Sequence, residues 1–205
     1  MSINVCNDRS MASITSLPSG VTGSSLTLLE TQTASSSATI SFTSNIDSTY
    51  KEYIFKFFDI HPATNRAIFQ FQADTGTNTN YNITATTNFY QAYHKENDGG
   101  AALGYNDSHH DAQSTSFLNL TVQNSNNNDS CASGTLHIFD PSNSTFVKQF
   151  LSRFNIMYEE TGGDEYSYEC WKGGYFNTTT ALTRFQFKYS SGDIDSGTIK
   201  LYGVV

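Results

Sequence analysis

Apolar residues in this chain recur at every second position, in one short run after another, from Ser24 to Val205. Ala38, Ile40 and Phe42 alternate with Thr39, Ser41 and Thr43. Ala67, Phe69, Phe71 and Ala73 alternate with Ile68, Gln70 and Gln72, and Phe185, Phe187 and Tyr189 with Arg184, Gln186 and Lys188. Successive side chains of a strand point to opposite faces, so a period of two puts each apolar set on one side of a pleated sheet. Leu118, Leu120 and Val122, then Leu136 and Ile138, then Ile199 and Leu201 repeat the pattern. Turn-forming residues separate the runs: Asp74-Thr75-Gly76, the tract from Asn124 to Ser130, Asp140-Pro141, the Gly-Gly pairs, and Ser190 to Gly197. About eight to ten strands are expected, with Phe89, Tyr90 and Tyr93 in one of them and His94 to Thr115 as a long loop. The stretch from Ser144 to Tyr158 also fits helical spacing through Phe146, Phe150, Phe154 and Met157. Strand is the expectation there, because its β-branched and aromatic residues suit a pleat.

This pattern predicts an all-β protein, an antiparallel β-sandwich of jelly-roll-like kind, folded as a single domain over residues 24–205. Met1 to Gly23 is small, polar and unpatterned, and reads as a flexible N-terminal arm. No short repeat indicates a propeller or solenoid, and no heptad pattern indicates a fibre shaft. The run Tyr50 to Ile60 has apolar residues on both faces, Tyr53, Phe55 and Phe57 on one and Ile54, Phe58 and Ile60 on the other. Such a strand is central in a sheet or lies at a subunit interface, and these six residues are the candidate contact of a homotrimer.

Charged residues make up only 15% of the 205, against roughly 25% in an ordinary soluble domain, so Ser, Thr and Asn or neighbouring subunits must cover the surface. A net charge of −8 without clustered Lys or Arg argues against a nucleic-acid partner. No stretch approaches the apolar length of a membrane span, and Asp8 and Arg9 stand where a secretory signal needs an apolar run. Cys6, Cys131 and Cys170 are odd in number and far apart, and read as free thiols of a protein made in a reducing cytoplasm. The Asn-x-Ser/Thr triplets, such as Asn82-Ile83-Thr84, are expected by chance in a chain this rich in Asn and Thr.

Catalytic patterns are not found: there is no Gly-x-Ser-x-Gly and no phosphate-cradling Gly-rich loop. His109, His110 and Asp111 are adjacent, so their side chains point apart and suit a solvated loop better than a metal. Asp193 and Asp195 open like a calcium loop, but no bidentate Glu follows, and a turn before the last strand is expected. Glu159, Glu160, Asp164 and Glu165 read as an acidic surface loop. No catalytic residue, cofactor or metal ligand is assigned. Tyr166, Tyr168, Trp171 and Tyr175, with Phe176, are candidate ligand-facing aromatics, since sugar rings stack on exposed aromatic faces; core packing or a subunit contact explains the same residues and is the expectation.

Two stretches carry a resemblance. Leu26 to Thr33, followed by Ala38-Thr39-Ile40-Ser41-Phe42-Thr43-Ser44 and Tyr50-Lys51-Glu52-Tyr53, resembles the opening strand pair of marine tailed-bacteriophage virion proteins. Gly174 to Thr179, Phe185-Gln186-Phe187-Lys188 and Ser196 to Val204 are similar to the closing strands of the same family. The resemblance implies a non-enzymatic structural protein on the outside of the virion, assembled in the host cytoplasm. A capsid decoration or cement protein bound to the major capsid protein or other virion proteins is the expectation, and a tail-fibre or receptor module facing a host-surface glycan the alternative. One globular domain with an unpatterned arm favours decoration of the head. Deleting Met1 to Gly23 is then expected to leave the fold intact and to weaken attachment to purified particles; equal retention of the truncated chain would sink that role for the arm.

Overall fold

The computed structural model describes residues 26–160 and 163–204; the arm expected over Met1 to Gly23 lies outside them. Thirteen strands run in the order β1 (Leu26–Ser37), β2 (Ile40–Phe42), β3 (Glu52–Pro62), β4 (Ala67–Asp74), β5 (Ala85–Lys95), β6 (Ala101–Tyr105), β7 (Asp111–Ser114), β8 (Leu118–Asn124), β9 (Ala132–Phe139), β10 (Lys148–Glu159), β11 (Glu165–Phe176), β12 (Arg184–Tyr189) and β13 (Ile194–Val204). They form two antiparallel sheets. The larger has the order β1-β13-β3-β9-β10-β11-β5-β6, with β7 also on β5, and the smaller has the order β2-β12-β4-β8. The alternation predicted an all-β sandwich, and that is the architecture.

The sheets pack through phenylalanine. Phe42, Phe69, Phe71 and Phe187 of the four-stranded sheet meet Phe55, Phe57, Phe150, Phe154 and Phe176 of the nine-stranded one, all buried. Ring centroids are 5.0 Å apart for Phe55 and Phe187, 5.1 Å for Phe57 and Phe187, and 4.9 Å for Phe57 and Phe154. These tilted and edge-on pairs let the rings interlock and add to the burial term.

Three expectations change. Thirteen strands replace eight to ten, because β6 and β7 are too short and too exposed to carry a period. The loop expected from His94 to Thr115 contains the end of β5 and all of β6 and β7. Every residue of β6 is exposed, so it is held by its backbone ladder to β5, which leaves no apolar signature. The pair Gly173-Gly174 is not a turn but lies inside β11. A Cβ on Gly174 would stand 2.5 Å from the Thr86 carbonyl oxygen, so the close approach of β5 requires glycine there. The stretch from Lys148 to Glu159 is strand throughout, with Phe150, Phe154 and Ile156 turned inward.

The candidate subunit contact on β3 is also corrected. Tyr53, Phe55, Phe57 and Ile60 belong to the core between the sheets, and a trimer cannot use them. Strict alternation would turn Ile60 outward, but the register with β9 shifts between Phe57 and Ile60 while Asp59 adopts a positive φ of 52°. This bulge brings Ile60 back to the core side. On β13 the facing Gly197 has φ 124°, and a Cβ there would meet the Asp59 carbonyl oxygen at 2.8 Å. Ile54 and Phe58 lie on the outer face, Ile54 nearly covered and Phe58 42% exposed beside Lys200. Phe57→Ala is expected to cost about 3–5 kcal/mol of stability and Phe58→Ala less than about 1 kcal/mol in urea unfolding; equal costs would contradict this division of the strand.

Candidate functional site

The four-stranded sheet packs on one face of the larger sheet; the opposite face carries an open hollow. Cross-strand register defines it. One row runs Thr135, Arg153, Trp171, Tyr90 and Tyr105 across β9, β10, β11, β5 and β6. The next row runs His137, Leu151, Gly173 and Asn88, and beyond it Gln149 pairs with Tyr175 and Tyr175 with Thr86. Gly173 has no side chain, so the middle row sinks between its neighbours and forms a trough across the strands. The hollow has a volume of about 550 Å³, with Phe139 at one end and Tyr90 at the other. A smaller hollow beside Tyr175 and Gln149 shares Gly173, Leu151, Phe139 and Asn88, and continues it. Leu151 is 56% exposed on its floor.

Each basic side chain at the trough faces a carboxylate. Arg153 donates through Nε to Glu169 and lies over the Trp171 ring at 5.9 Å. His137 Nδ1 lies 2.6 Å from Glu52 Oε1. The Gly173 N–H donates to Asn88 Oδ1 at 3.2 Å, and the Asn88 amide NH₂ has no partner among the described residues.

The four candidate ligand-facing aromatics do not come together. Trp171 and Tyr175 border the trough, whereas Tyr166 and Tyr168 lie on the inner face, as their even numbers require beside odd ones on one strand. There they pack with Tyr93 and Tyr158, with Tyr93 and Tyr168 stacked at 5.0 Å. Burial pushes the Tyr168 phenol up to about 12. The Tyr166 hydroxyl donates to Glu160 at 2.6 Å, and Lys95 reaches Asp164 at 3.1 Å and Glu160 at 3.4 Å. The bond from Tyr166, then that from Lys95, holds the Glu160 carboxyl below its ordinary value. The acidic cluster is therefore tied to β5 through Lys95. Phe176 is buried in the core.

His109, His110 and Asp111 also point apart. His109 packs its ring 5.1 Å from that of Phe89, His110 lies 5.7 Å from the Tyr105 ring, and Asp111 meets Lys172. Lys172, fully buried on the inner face of β11, donates to Asp111 Oδ2 at 2.9 Å and to the His109 carbonyl at 2.7 Å. Thr87 donates to the same carboxylate oxygen at 2.9 Å. This ionic anchor was not foreseen: a Lys next to a Gly-Gly pair reads as a turn residue, although its even number already placed it with Cys170 on the inner face. Asp195 faces His61 at 3.5 Å, and the Asp193 carbonyl accepts from the Ala63 N–H, so both close the turn into β13. Cys131 and Cys170 are free thiols, and burial pushes Cys170 up to about 12. Among the described residues no three His, Cys, Asp or Glu side chains form a metal-binding group.

Burial, and then the Lys172 charge, lower the His109 pKa below 6.5, against the opposing pull of Asp111. The unfolded chain therefore takes up a proton near pH 6.5 that the folded chain refuses. Stability supplied by this group is present above pH 6.5 and is lost as pH falls below it. Unfolding curves are expected to weaken from pH 7 to 5.5, with His109→Gln flattening that slope; an unchanged slope in the variant would remove His109 as its source.

Compared with models of protein families, with curated proteins and with solved structures, the chain matches none.

Proposed function

We propose that this chain is a non-enzymatic structural protein of a tailed-phage particle, a capsid decoration protein that holds neighbouring subunits together by lending them the β6 edge of its larger sheet. The virion setting rests on the resemblance of the opening and closing strands. The observation that supports the mode of contact is β6. It ends the sheet order and contains no charged residue in Ala101–Tyr105, with Leu103 76% and Tyr105 48% exposed.

Natural sheets protect such edges with charge, proline or a bulge, because unpaired N–H and C=O groups recruit another strand. The Lys95 N–H donates to the Gly100 carbonyl and the Asn106 N–H to the Phe89 carbonyl, which fixes which residues of β6 bond to β5. By alternation Ala102 and Gly104 bond inward, and Ala101, Leu103 and Tyr105 direct N–H and C=O groups to the open side. Three residues in a row of alternation suffice for a partner strand to add there, with Leu103 and Tyr105 packing on its outer side.

Leu103→Pro removes an N–H that β5 does not use. Purified particles of the source phage, stripped of the protein and reloaded, are expected to retain the wild-type chain and to retain Leu103→Pro several-fold less, with unfolding temperature unchanged. Absence of the native chain from purified particles would overturn the virion role; equal retention of the variant would overturn the edge contact.

A further inference from the structure

The trough over Gly173 sits where the sheet offers no strand-adding edge, and that narrows what can occupy it. β9, β10, β11 and β5 are each paired on both sides, so an extended peptide laid across them finds no free backbone ladder. A nucleic acid needs clustered cations to neutralise phosphate, whereas Arg153 and His137 are each paired with a carboxylate and the chain carries a net charge of −8. An anionic ligand of any kind meets the same balance. An uncharged ligand loses nothing to it. The hollow is open, so the occupant must keep one side hydrated while the other lies on carbon.

The walls and floor supply both halves of such a contact. Trp171, Tyr90 and Phe139 with the exposed Leu151 give apolar surface for the C–H face of a ring. The Asn88 amide NH₂, the His137 Nε2 and the Gln149 amide have no partner among the described residues and stand at the edges, where hydroxyl groups would meet them. The volume of about 550 Å³ falls within the range of sites for small ligands. We infer that the trough binds a neutral saccharide chain, lying across the strands with one ring over Gly173 between Trp171 and Tyr175. The β6 edge proposed above for particle contact lies at the side of the sheet, leaving the trough accessible.

Gly173 is the point on which this turns. It has no positive φ, and a Cβ there would meet Leu151 Cδ2 at 3.1 Å and Asn88 Oδ1 at 3.3 Å, so alanine needs only small movements of two side chains. A larger side chain must push Leu151 and Asn88 further aside and would occupy the trough.

The test presents the isolated full chain to a panel of immobilised short neutral hexose and N-acetylhexosamine oligosaccharides alongside sialylated and sulfated ones, followed by calorimetric titration of the best binder. Saturable binding of at least one neutral member is expected. Trp171→Ala should weaken it about tenfold and Gly173→Val should abolish it, while Leu28→Ala, on the same face at the far edge, leaves it unchanged. Asn88→Ala gives a second reading of the same trough should Gly173→Val not fold, and is expected to weaken binding severalfold. No binding to any neutral member, binding confined to the acidic glycans, or binding indifferent to Trp171 and Asn88 would each overturn the proposal. None of these outcomes depends on whether particles carry the protein.

Discussion

The fold depends on phenylalanine rings meeting between two sheets of unequal width. Phe57 lies within ring contact of Phe55, Phe69, Phe154 and Phe187, so a single side chain of β3 touches its own strand, reaches across Gly134 of β9 to β10, and meets both central strands of the smaller sheet. Close packing makes such a position intolerant of any change in volume. The paired irregularity at Asp59 and Gly197 serves the same core, since it keeps Ile60 directed inward past the point where simple alternation would expose it.

Unequal width has a second consequence. Four strands cannot cover the inner face of the larger sheet out to β5, and the remainder is closed by other means. The segment from Asn106 to Asp111 folds over Phe89, held by the buried Lys172 ammonium, and four tyrosines with Lys95 and Glu160 close the end where β10 turns into β11. A buried lysine is expensive to desolvate, and removing its partner carboxylate would leave that cost unmet. The anchor therefore specifies where the β6–β7 segment lies more than it adds stability. By holding that segment inward, it leaves β6 free along its open edge.

The outer face obeys different rules. Among the described residues it has no covering layer, and its relief comes from one missing side chain between bulky rows. Edge and trough are separate features of the same sheet: the edge exposes backbone groups, whereas the trough exposes ring faces and side-chain amides. A protein that attaches to one partner through an edge retains its broad face for another.

The class of fold was legible because alternation is a local property: Phe69, Phe71 and Ala73, or Phe185, Phe187 and Tyr189, declare a buried face whatever their partners. The parity of Tyr166 and Tyr168 against Trp171 and Tyr175 was equally legible, and already divided those aromatics between two faces. Sequence by itself thus determined that the chain is built of strands, which side chains share a face, and where most turns fall. Tertiary structure alone decided which face of β3 is covered, that Ile60 crosses to the inside, that Gly173 is the floor of a trough and not a turn, and that Lys172 finds Asp111 sixty-one residues away. These depend on cross-strand register and on bulges that shift it, and register is set by the packing of residues far apart in the chain.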